Sequence, residues 1–166
     1  MIRLRPWKKG DREMMKDWLL EERQFHMWSG GKFAYPLTVE QLKERDECTE
    51  GEERAWSMAA LDDEGKLVGH FSFREVDYEK GSAHMGFIVI DPKRRGGGLG
   101  KEMVSQAVRY AFEILGLSRV TLNVMEENRA ACACYRSIGF QEERRSEGAY
   151  SFQGENWTVC LMAVEK

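Results

Sequence analysis

Arg95-Gly96-Gly97-Gly98-Leu99-Gly100-Lys101 is the stretch that decides the fold of this chain. A strand-like run over residues 84–90 precedes it, and a long amphipathic segment follows it, so the order is strand, glycine-rich loop, helix. Glycine lets the backbone adopt positive φ and lets a ligand approach closely. Because the first turn of a helix carries unpaired N–H groups and a partial positive charge, the loop predicts an anion site, most naturally for phosphate.

Two common phosphate-binding patterns are excluded by the residues at their fixed positions. A P-loop needs Ser or Thr after Gly-Lys, whereas Glu102 follows Gly100-Lys101 here, and Arg95 stands where the first glycine is expected. A carboxylate would then replace the hydroxyl that binds the magnesium of a nucleotide. The dinucleotide pattern G-x-G-x-x-G fails as well, because its third glycine falls on Lys101 or Met103.

The composition is that of a globular protein with no marked bias. The 166 residues suit a single domain, predicted over residues 1–166, and the net charge of -3 argues against a nucleic-acid partner. No apolar run has the length of a membrane span and no signal-peptide core is present, so we expect no membrane partner and a cytoplasmic location. With three dispersed histidines and four cysteines, we expect neither a metal site nor a disulfide framework.

Hydrophobic periodicity predicts an α/β protein. Asp11 is a plausible N-cap for a helix that carries Met14, Met15, Trp18 and Leu19 on one face. Residues 24–36 read as an aromatic, glycine-punctuated loop, and Thr38 with Gln41 predicts a helix through residue 48. Two further helices are predicted over 99–115 and 130–138. Strands are predicted over 2–5, 55–61, 66–76, 82–90, 119–125, 140–145 and 156–164.

Two motifs together resemble a known family. Arg95-x-x-Gly98-x-Gly100 is similar to the (Gln/Arg)-x-x-Gly-x-(Gly/Ala) pyrophosphate-binding motif of the GNAT superfamily of acetyl-CoA-dependent N-acetyltransferases. Downstream, Asn128-x-x-Ala131-x-x-x-Tyr135-x-x-x-Gly139-Phe140 resembles the second signature of that superfamily. The resemblance implies a three-layer α/β/α sandwich with a central mixed, mostly antiparallel sheet. In style the chain is most similar to the members that acetylate the N-termini of ribosomal proteins.

The resemblance also implies which residues bind acetyl-CoA. Asn128 would hydrogen-bond the cofactor arm, while Arg95 would begin the loop and stabilise it. Main-chain N–H groups of the loop would bind the pyrophosphate of CoA, those of Gly96, Gly97, Gly98, Gly100 and Lys101. Main-chain groups of the strand would bind the pantetheine arm, those of Ile88, Val89 and Ile90. For this to happen, the parallel strands 82–90 and 119–125 must splay apart. No metal is implied.

Tyr135 and His84 are the predicted catalytic residues. By resemblance, Tyr135 would protonate the leaving CoA thiolate, which a phenol with a pKa of about 10 can do. Family members often carry a glutamate at the position of His84, so His84 is a candidate general base that is evenly balanced against a structural histidine. The rival bases are Glu75, Asp77 and Glu79, on or beside the preceding strand.

Two functions remain open at this point. The first is an N-acetyltransferase that uses acetyl-CoA as co-substrate and a primary amine, of a small molecule or of a protein, as acceptor. The second is a non-catalytic acyl-CoA-binding module of the same fold, such as a sensor or a partner-binding subunit. Retention of Tyr135 favours the enzyme, and the missing glutamate favours the module. A homodimer is left open.

Overall fold

The computed structural model describes residues 1–166, which form seven strands, five α-helices and two short 3-10 turns. The strands are β1 (Arg3–Pro6), β2 (Trp56–Leu61), β3 (Leu67–Asp77), β4 (Ser82–Ile90), β5 (Arg119–Met125), β6 (Gln141–Phe152) and β7 (Glu155–Glu165). The helices are α1 (Arg12–Met15), α2 (Glu22–Ser29), α3 (Val39–Thr49), α4 (Leu99–Glu113) and α5 (Arg129–Ile138). The 3-10 turns are Lys9–Asp11 and Pro92–Arg94. No helix is long and apolar enough to cross a membrane.

All seven strands belong to one sheet, in the order β1-β2-β3-β4-β5-β7-β6. Every neighbouring pair is antiparallel except β4 and β5, which are parallel. One core joins α1, α2 and α3 to the sheet through Met15, Phe25 and Leu42. The larger core joins α4 and α5 to the sheet, for example through Val104 and Cys132. The predicted fold class, a three-layer sandwich around a mixed, mostly antiparallel sheet, is therefore confirmed.

Helix α4 forms as its periodicity predicts, but it ends earlier. Its apolar stripe is buried against the sheet because apolar residues recur at helical spacing: Met103, Val104, Ala107, Val108 and Ala111. The regular hydrogen bonds end at Glu113 rather than at residue 115, since the amides of Ile114 and Leu115 both donate to the carbonyl of Tyr110. Gly116 follows at φ 70°, a left-handed conformation that favours glycine.

The prediction of a helix from Asp11 to Leu19 is wrong in its length. Helix α1 is a single turn, and Met14 lies 46% exposed while Met15, Trp18 and Leu19 are buried. Asp11 makes no side-chain cap, because its carboxylate accepts hydrogen bonds from Arg5 and from the amide of Lys8. The ion pair with Arg5 and the amide of Lys8 thus take the carboxylate that the sequence pattern assigns to the helix cap.

Two other segments hold more regular structure than the sequence predicts. The predicted loop 24–36 contains most of helix α2, which buries Phe25 and whose N-cap is Glu21, with its carboxylate accepting from the amides of Arg23 and Gln24. Strand β6 runs to Phe152, seven residues beyond the predicted end at 145. Its exposed, polar residues show no alternation, so only pairing with β7 reveals it as a strand.

Strands β4 and β5 separate in the middle of the sheet. Their parallel pairing joins Ser82–Met85 to Arg119–Leu122 and then stops. Beyond that point β4 is paired only with β3, and β5 only with β7. The sheet therefore opens between two central strands, at the end that leads to the glycine-rich loop.

Candidate active site

The opening between β4 and β5 leads into a cavity of about 880 Å³. Its walls come from α2, from β4 and the glycine-rich loop, from the end of β5 and from α5. The predicted site residues that line it are Ile88, Val89, Ile90, Arg95, Gly96, Gly98, Gly100, Lys101, Asn128 and Tyr135. Gly97 lies in the same loop without lining the cavity, and His84 does not line it either. The structure thus brings both sequence motifs to one cavity.

The glycine-rich loop presents a run of unpaired backbone donors. No amide from Gly96 to Lys101 donates a hydrogen bond to a protein atom, whereas the amide of Glu102 already donates to the carbonyl of Gly98. Gly96 and Gly98 have φ values of 82° and 80°, which L side chains rarely adopt, and Gly98 is the N-cap of α4. Unpaired amides at a helix N-terminus, turned along a left-handed backbone, suit a phosphate group.

The side chain of Arg95 holds the loop in place. Its Nε donates to the carbonyl of Ile90 at 3.3 Å, and its Nη1 donates to Oε1 of Gln24 at 2.6 Å. These two bonds join the loop to β4 and to α2, on either side of the cavity. Burial lowers the pKa of Arg95 below its usual value. Arg95 therefore acts on the shape of the loop, which leaves the backbone amides to face an anion.

Basic residues outnumber acidic ones in the cavity wall, although the whole chain carries a net charge of -3. The basic ones are Arg23, Arg94, Arg95, Lys101 and Arg129, and the acidic ones are Glu21 and Glu127. The excess of positive charge suits a ligand with several phosphate groups.

A β-bulge marks the point where the strands separate. His70 pairs with Val89 and Ser72 pairs with Gly86, so β4 has one more residue than β3 in this interval, and Phe87 takes φ 50°. Nδ1 of His70 donates to the carbonyl of Phe87 at 2.8 Å, and Oγ of Ser72 donates to the carbonyl of Gly86 at 3.2 Å. Two side chains of β3 therefore hold the bulge.

Tyr135 and Asn128 lie together on the α5 side of the cavity. The hydroxyl of Tyr135 forms no hydrogen bond with the protein, and its ring packs edge-on against Phe140. Burial raises the pKa of Tyr135, so the hydroxyl keeps its proton at neutral pH. Oδ1 of Asn128 accepts from the amide of Ala131 at 3.3 Å, which caps α5 and leaves its amide nitrogen for other partners.

His84 does not line the cavity and lies within the part of β4 that pairs with β5. Its Nδ1 lies 2.8 Å from Oγ1 of Thr121 on β5. Burial, and then the positive charge of Arg74, lower the pKa of His84 to about 4, so the ring is neutral at pH 7. Of the rival bases, Asp77 accepts from the amides of Glu79 and Lys80 in the turn after β3. Neither Asp77 nor the exposed Glu75 and Glu79 line the cavity.

One charged residue of the site, Glu127, was not predicted from the sequence. Glu127 lines the cavity next to Asn128; its Oε1 accepts from the amide of Thr158, while its buried Oε2 has no partner. Trp28 is one of the aromatic residues of the predicted loop, for which the sequence favours lining an acceptor pocket over packing the loop; it lines the cavity from α2, and its buried Nε1 also has no partner. The orphaned groups were invisible in the sequence, because their burial depends on contacts with distant elements. The position of Glu127 beside the Asn128 motif was the one local signal.

Known proteins share this sequence pattern and fold. The model of the acetyltransferase (GNAT) family matches residues 12–140. A mycothiol acetyltransferase of Salinispora tropica is 38% identical over 86 residues, which are 50% of this chain and 28% of the relative. A spermidine N(1)-acetyltransferase of Vibrio cholerae is 34% identical over 103 residues, which are 62% of this chain and 59% of the relative. This chain thus spans less than two thirds of the length of these curated relatives.

The fold likeness extends over the whole chain. The crystal structure of spermidine N-acetyltransferase from Vibrio cholerae in complex with CoA and spermine superposes with a TM-score of 0.85 and 25% sequence identity. The superposition covers 99% of this chain and 95% of that chain.

Proposed function

The chain belongs to the acetyltransferase (GNAT) family, and from this premise we propose that it transfers an acetyl group from acetyl-CoA to a primary amine. The observation that carries the proposal is the row of unpaired amides from Gly96 to Lys101 at one end of the cleft between β4 and β5. A pyrophosphate needs such donors, and an extended pantetheine arm needs an unpaired strand edge beside it. Both needs are met in one cavity.

The residues of the cavity divide the work of binding. The phosphates of CoA are strongly anionic, because they carry about four negative charges. The loop amides hold them together with the surrounding basic side chains, among them that of Lys101. Main-chain groups of Ile88, Val89 and Ile90 pair with the arm, and the amide nitrogen of Asn128 adds a hydrogen bond. The bulge at Phe87 places the thioester, because the backbone changes direction there.

The reaction is a direct displacement that requires no metal. The amine nitrogen bonds to the carbonyl carbon, the C–S bond breaks, and its electron pair stays on sulfur. Tyr135 donates its hydroxyl proton to that sulfur, and the attacking amine gives up one proton. An amide N–H of the bulge would stabilise the negative charge on the carbonyl oxygen. Tyr135 supports this role because its hydroxyl lines the cavity, is protonated and has no protein partner.

Two residues compete for the proton of the amine. His84 is neutral and so able to accept a proton, but its side chain does not line the cavity. Glu127 lines the cavity and carries a carboxylate oxygen with no partner. We retain His84 as the general base, because the family often carries a carboxylate at its position, with Glu127 as its rival.

The non-catalytic alternative is weaker, because a binding module has no use for an unpartnered tyrosine hydroxyl beside the arm of CoA. We place the activity in the cytoplasm. The four cysteines, all unpaired, agree with a reducing compartment. The relatives point to small amines as acceptors, since they are named for spermidine and for mycothiol.

A turnover assay tests the proposal. The protein is mixed with acetyl-CoA and a panel of primary amines, and the released CoA thiol is measured together with the mass of the acetylated product. We expect thiol release that depends on the amine and that Tyr135→Phe largely abolishes. Thiol release that no amine increases would leave only the binding module.

A further inference from the structure

Three positively charged side chains surround the ring of Phe87 at the bulge. The Cζ atoms of Arg45 and Arg74 lie 5.0 Å and 5.2 Å from the ring centroid, and Nζ of Lys32 lies 5.9 Å from it. They come from three separate parts of the chain: helix α3, strand β3 and the loop after α2. We call Lys32, Arg45 and Arg74 the cation cluster.

The cation cluster has no anionic partner in the protein. None of its side chains forms an ion pair or a hydrogen bond, while neighbours such as Arg12 and Arg54 pair with Asp46 and Asp77. Burial, and then the charges of neighbouring members of the cluster, lower the pKa values of Lys32 and Arg74. The negative charge of Glu75 raises the pKa values of Lys32 and Arg74 in part, but Glu75 is exposed and forms no ion pair with them.

Two buried N–H donors beside Phe87 also lack acceptors. Nε of Arg74 is shielded from solvent and donates to no atom. Nε1 of Trp28 is in the same condition, and its ring lies 5.3 Å from that of Phe87. Buried donors in native proteins almost always have a partner. Two orphaned donors next to three unpaired cations indicate that an acceptor of negative charge belongs there.

The position along β4 assigns this missing group to the acceptor amine rather than to CoA. The loop amides that suit phosphate follow the end of β4, and Phe87 lies three residues before that end. Arg74 pairs with His84, farther still from the loop. Along an extended strand each residue adds about 3.3 Å, so Phe87 and the cation cluster around it lie roughly 10 Å from the end of β4, at the part of the strand where the proposed function puts the thioester.

We propose that the amine acceptor carries an oxyanion, a carboxylate or a phosphate, which the cation cluster binds while the amine faces the thioester at the bulge. The proposal rests on the proposed function and names the substrate class of the same site. Phe87 and Trp28 line the cavity, whereas the cation cluster does not line it and lies against the ring of Phe87. Guanidinium groups bind both oxyanions through paired hydrogen bonds, and Lys32 adds a mobile positive charge. A polyamine such as spermidine would instead meet positive charge at this position, so it would be a poor acceptor.

Matched acceptor pairs test the proposal directly. Glutamate is compared with glutamine amide, glycine with glycinamide, and phosphoethanolamine with ethanolamine, with spermidine as the polycation. Within each pair we expect kcat/KM to be roughly tenfold to a hundredfold higher for the anionic amine, which is the usual effect of a charged hydrogen bond. The amine of the uncharged partner loses its proton more readily, so more of it is reactive at neutral pH. A preference for the anionic amine would therefore appear in spite of this difference. The carboxylate and phosphate pairs distinguish the two oxyanions.

Variants of the cation cluster link that preference to its cause. Arg45→Gln should raise KM for the anionic amine roughly tenfold or more and leave kcat/KM of its neutral partner within about twofold. Arg74→Gln should raise the same KM, but it also removes a charge that lowers the pKa of His84, so only the ratio between anionic and neutral amine is compared for this variant. Lys43→Gln is the matched control, since it removes one positive charge from α3 at an exposed position paired with Glu47. It should leave both values unchanged. Equal preference within all pairs, or faster turnover of spermidine, would overturn the proposal.

A binding measurement separates this proposal from the proposed function. N-acetylglutamate is titrated calorimetrically into the protein loaded with CoA, beside its uncharged amide. Binding of the anion that Arg74→Gln weakens supports the cation cluster, even where no amine is turned over and the proposed function fails. If amines are turned over but the anion and the amide bind equally and Arg74→Gln has no effect, the proposal for the cation cluster is refuted and the proposed acetyltransferase activity stands.

Discussion

At the scale of single residues, the hydroxyl of Tyr135 is the proposed proton donor to the leaving CoA sulfur. It lines the cavity without a protein partner, and burial raises its pKa so that it stays protonated. Tyr135→Phe keeps the ring and its contact with Phe140 but removes the proton donor. We expect kcat to fall by about 10²-fold or more, with little change in the Kd of acetyl-CoA. Steady-state kinetics and calorimetry measure the two values, and an unchanged kcat would make Tyr135 structural.

The role of His84 is tested by the pH dependence of activity. Its pKa of about 4 lies below the usual 6.5, because of burial and of the positive charges of Arg74 and Lys32, which Glu75 partly offsets; Thr121 contributes only a hydroxyl. The ring is therefore neutral above about pH 4, and kcat/KM should show no decline near pH 6.5 from this group. His84→Ala should lower kcat/KM at pH 7. At high pH, where the amine is already neutral, kcat/KM of this variant should fall less below that of the wild type.

Two companion variants complete this test. His84→Glu should restore part of the activity if the position supplies the base. Glu127→Gln should keep most of the activity in that case, and should abolish it if Glu127 is the base instead. Kinetics of His84→Ala that match the wild type at every pH would refute the role of His84.

At the scale of elements, the glycine-rich loop can be tested against a glycine at the other end of the same helix. Gly98 and Gly116 have φ values of 80° and 70°, and a Cβ on either would meet no atom within 4 Å. Replacing either by Asp adds the same strain, about 1 kcal/mol. Gly98→Asp should also raise the Kd of acetyl-CoA at least tenfold, by about 1.4 kcal/mol, since it places a carboxylate among the amides that we propose bind phosphate. Calorimetry with Gly116→Asp, which should keep the wild-type Kd, separates binding from stability.

The elements also show what could be predicted from the sequence. The loop from Gly96 to Lys101 and helix α4 were predicted because their signals are local: glycines at fixed spacing and apolar residues at helical period. Helix α2 was missed because aromatic residues and the glycines at 30 and 31 suggest a loop, whereas its order comes from burial of Phe25 and a cap from Glu21.

The site was predicted only where its motifs are continuous in sequence. The cation cluster and the support of the bulge by His70 both join side chains from separate elements, on β3, α3 and the loop after α2. No local pattern encodes such meetings, because they depend on strand register. A one-residue shift of β3 would turn His70 and Arg74 to the other face of the sheet.

At the scale of the whole molecule, two buried histidines make stability sensitive to acid. His70 and His84 both have pKa values of about 4, chiefly because burial disfavours the charged ring. The unfolded chain binds these protons near pH 6.5, so it binds more protons than the folded one between pH 6.5 and 4. The stability is therefore full above about pH 6.5 and is lost as the pH falls, by up to about 3 kcal/mol for each histidine.

Urea unfolding at pH 7, 5.5 and 4.5 measures this loss. We expect the free energy of unfolding to fall steadily across the series, and His70→Gln to show roughly half the pH dependence because one of the two groups is gone. A free energy of unfolding that stays constant between pH 7 and 4.5 would contradict the burial of neutral histidines.

The most direct test of the central claim, that the cleft between β4 and β5 binds acetyl-CoA, is thermal unfolding with and without that ligand. At one hundred times its Kd, a ligand that binds only the folded protein stabilises it by about 2.7 kcal/mol. For a chain of this size that corresponds to a rise in Tm of about 5–10 °C. We predict a rise of this size with acetyl-CoA and, at the same concentration, a rise of at most about half this size in Gly98→Asp, whose Kd is at least tenfold higher. An unchanged Tm of the wild-type protein at saturating acetyl-CoA would contradict the account.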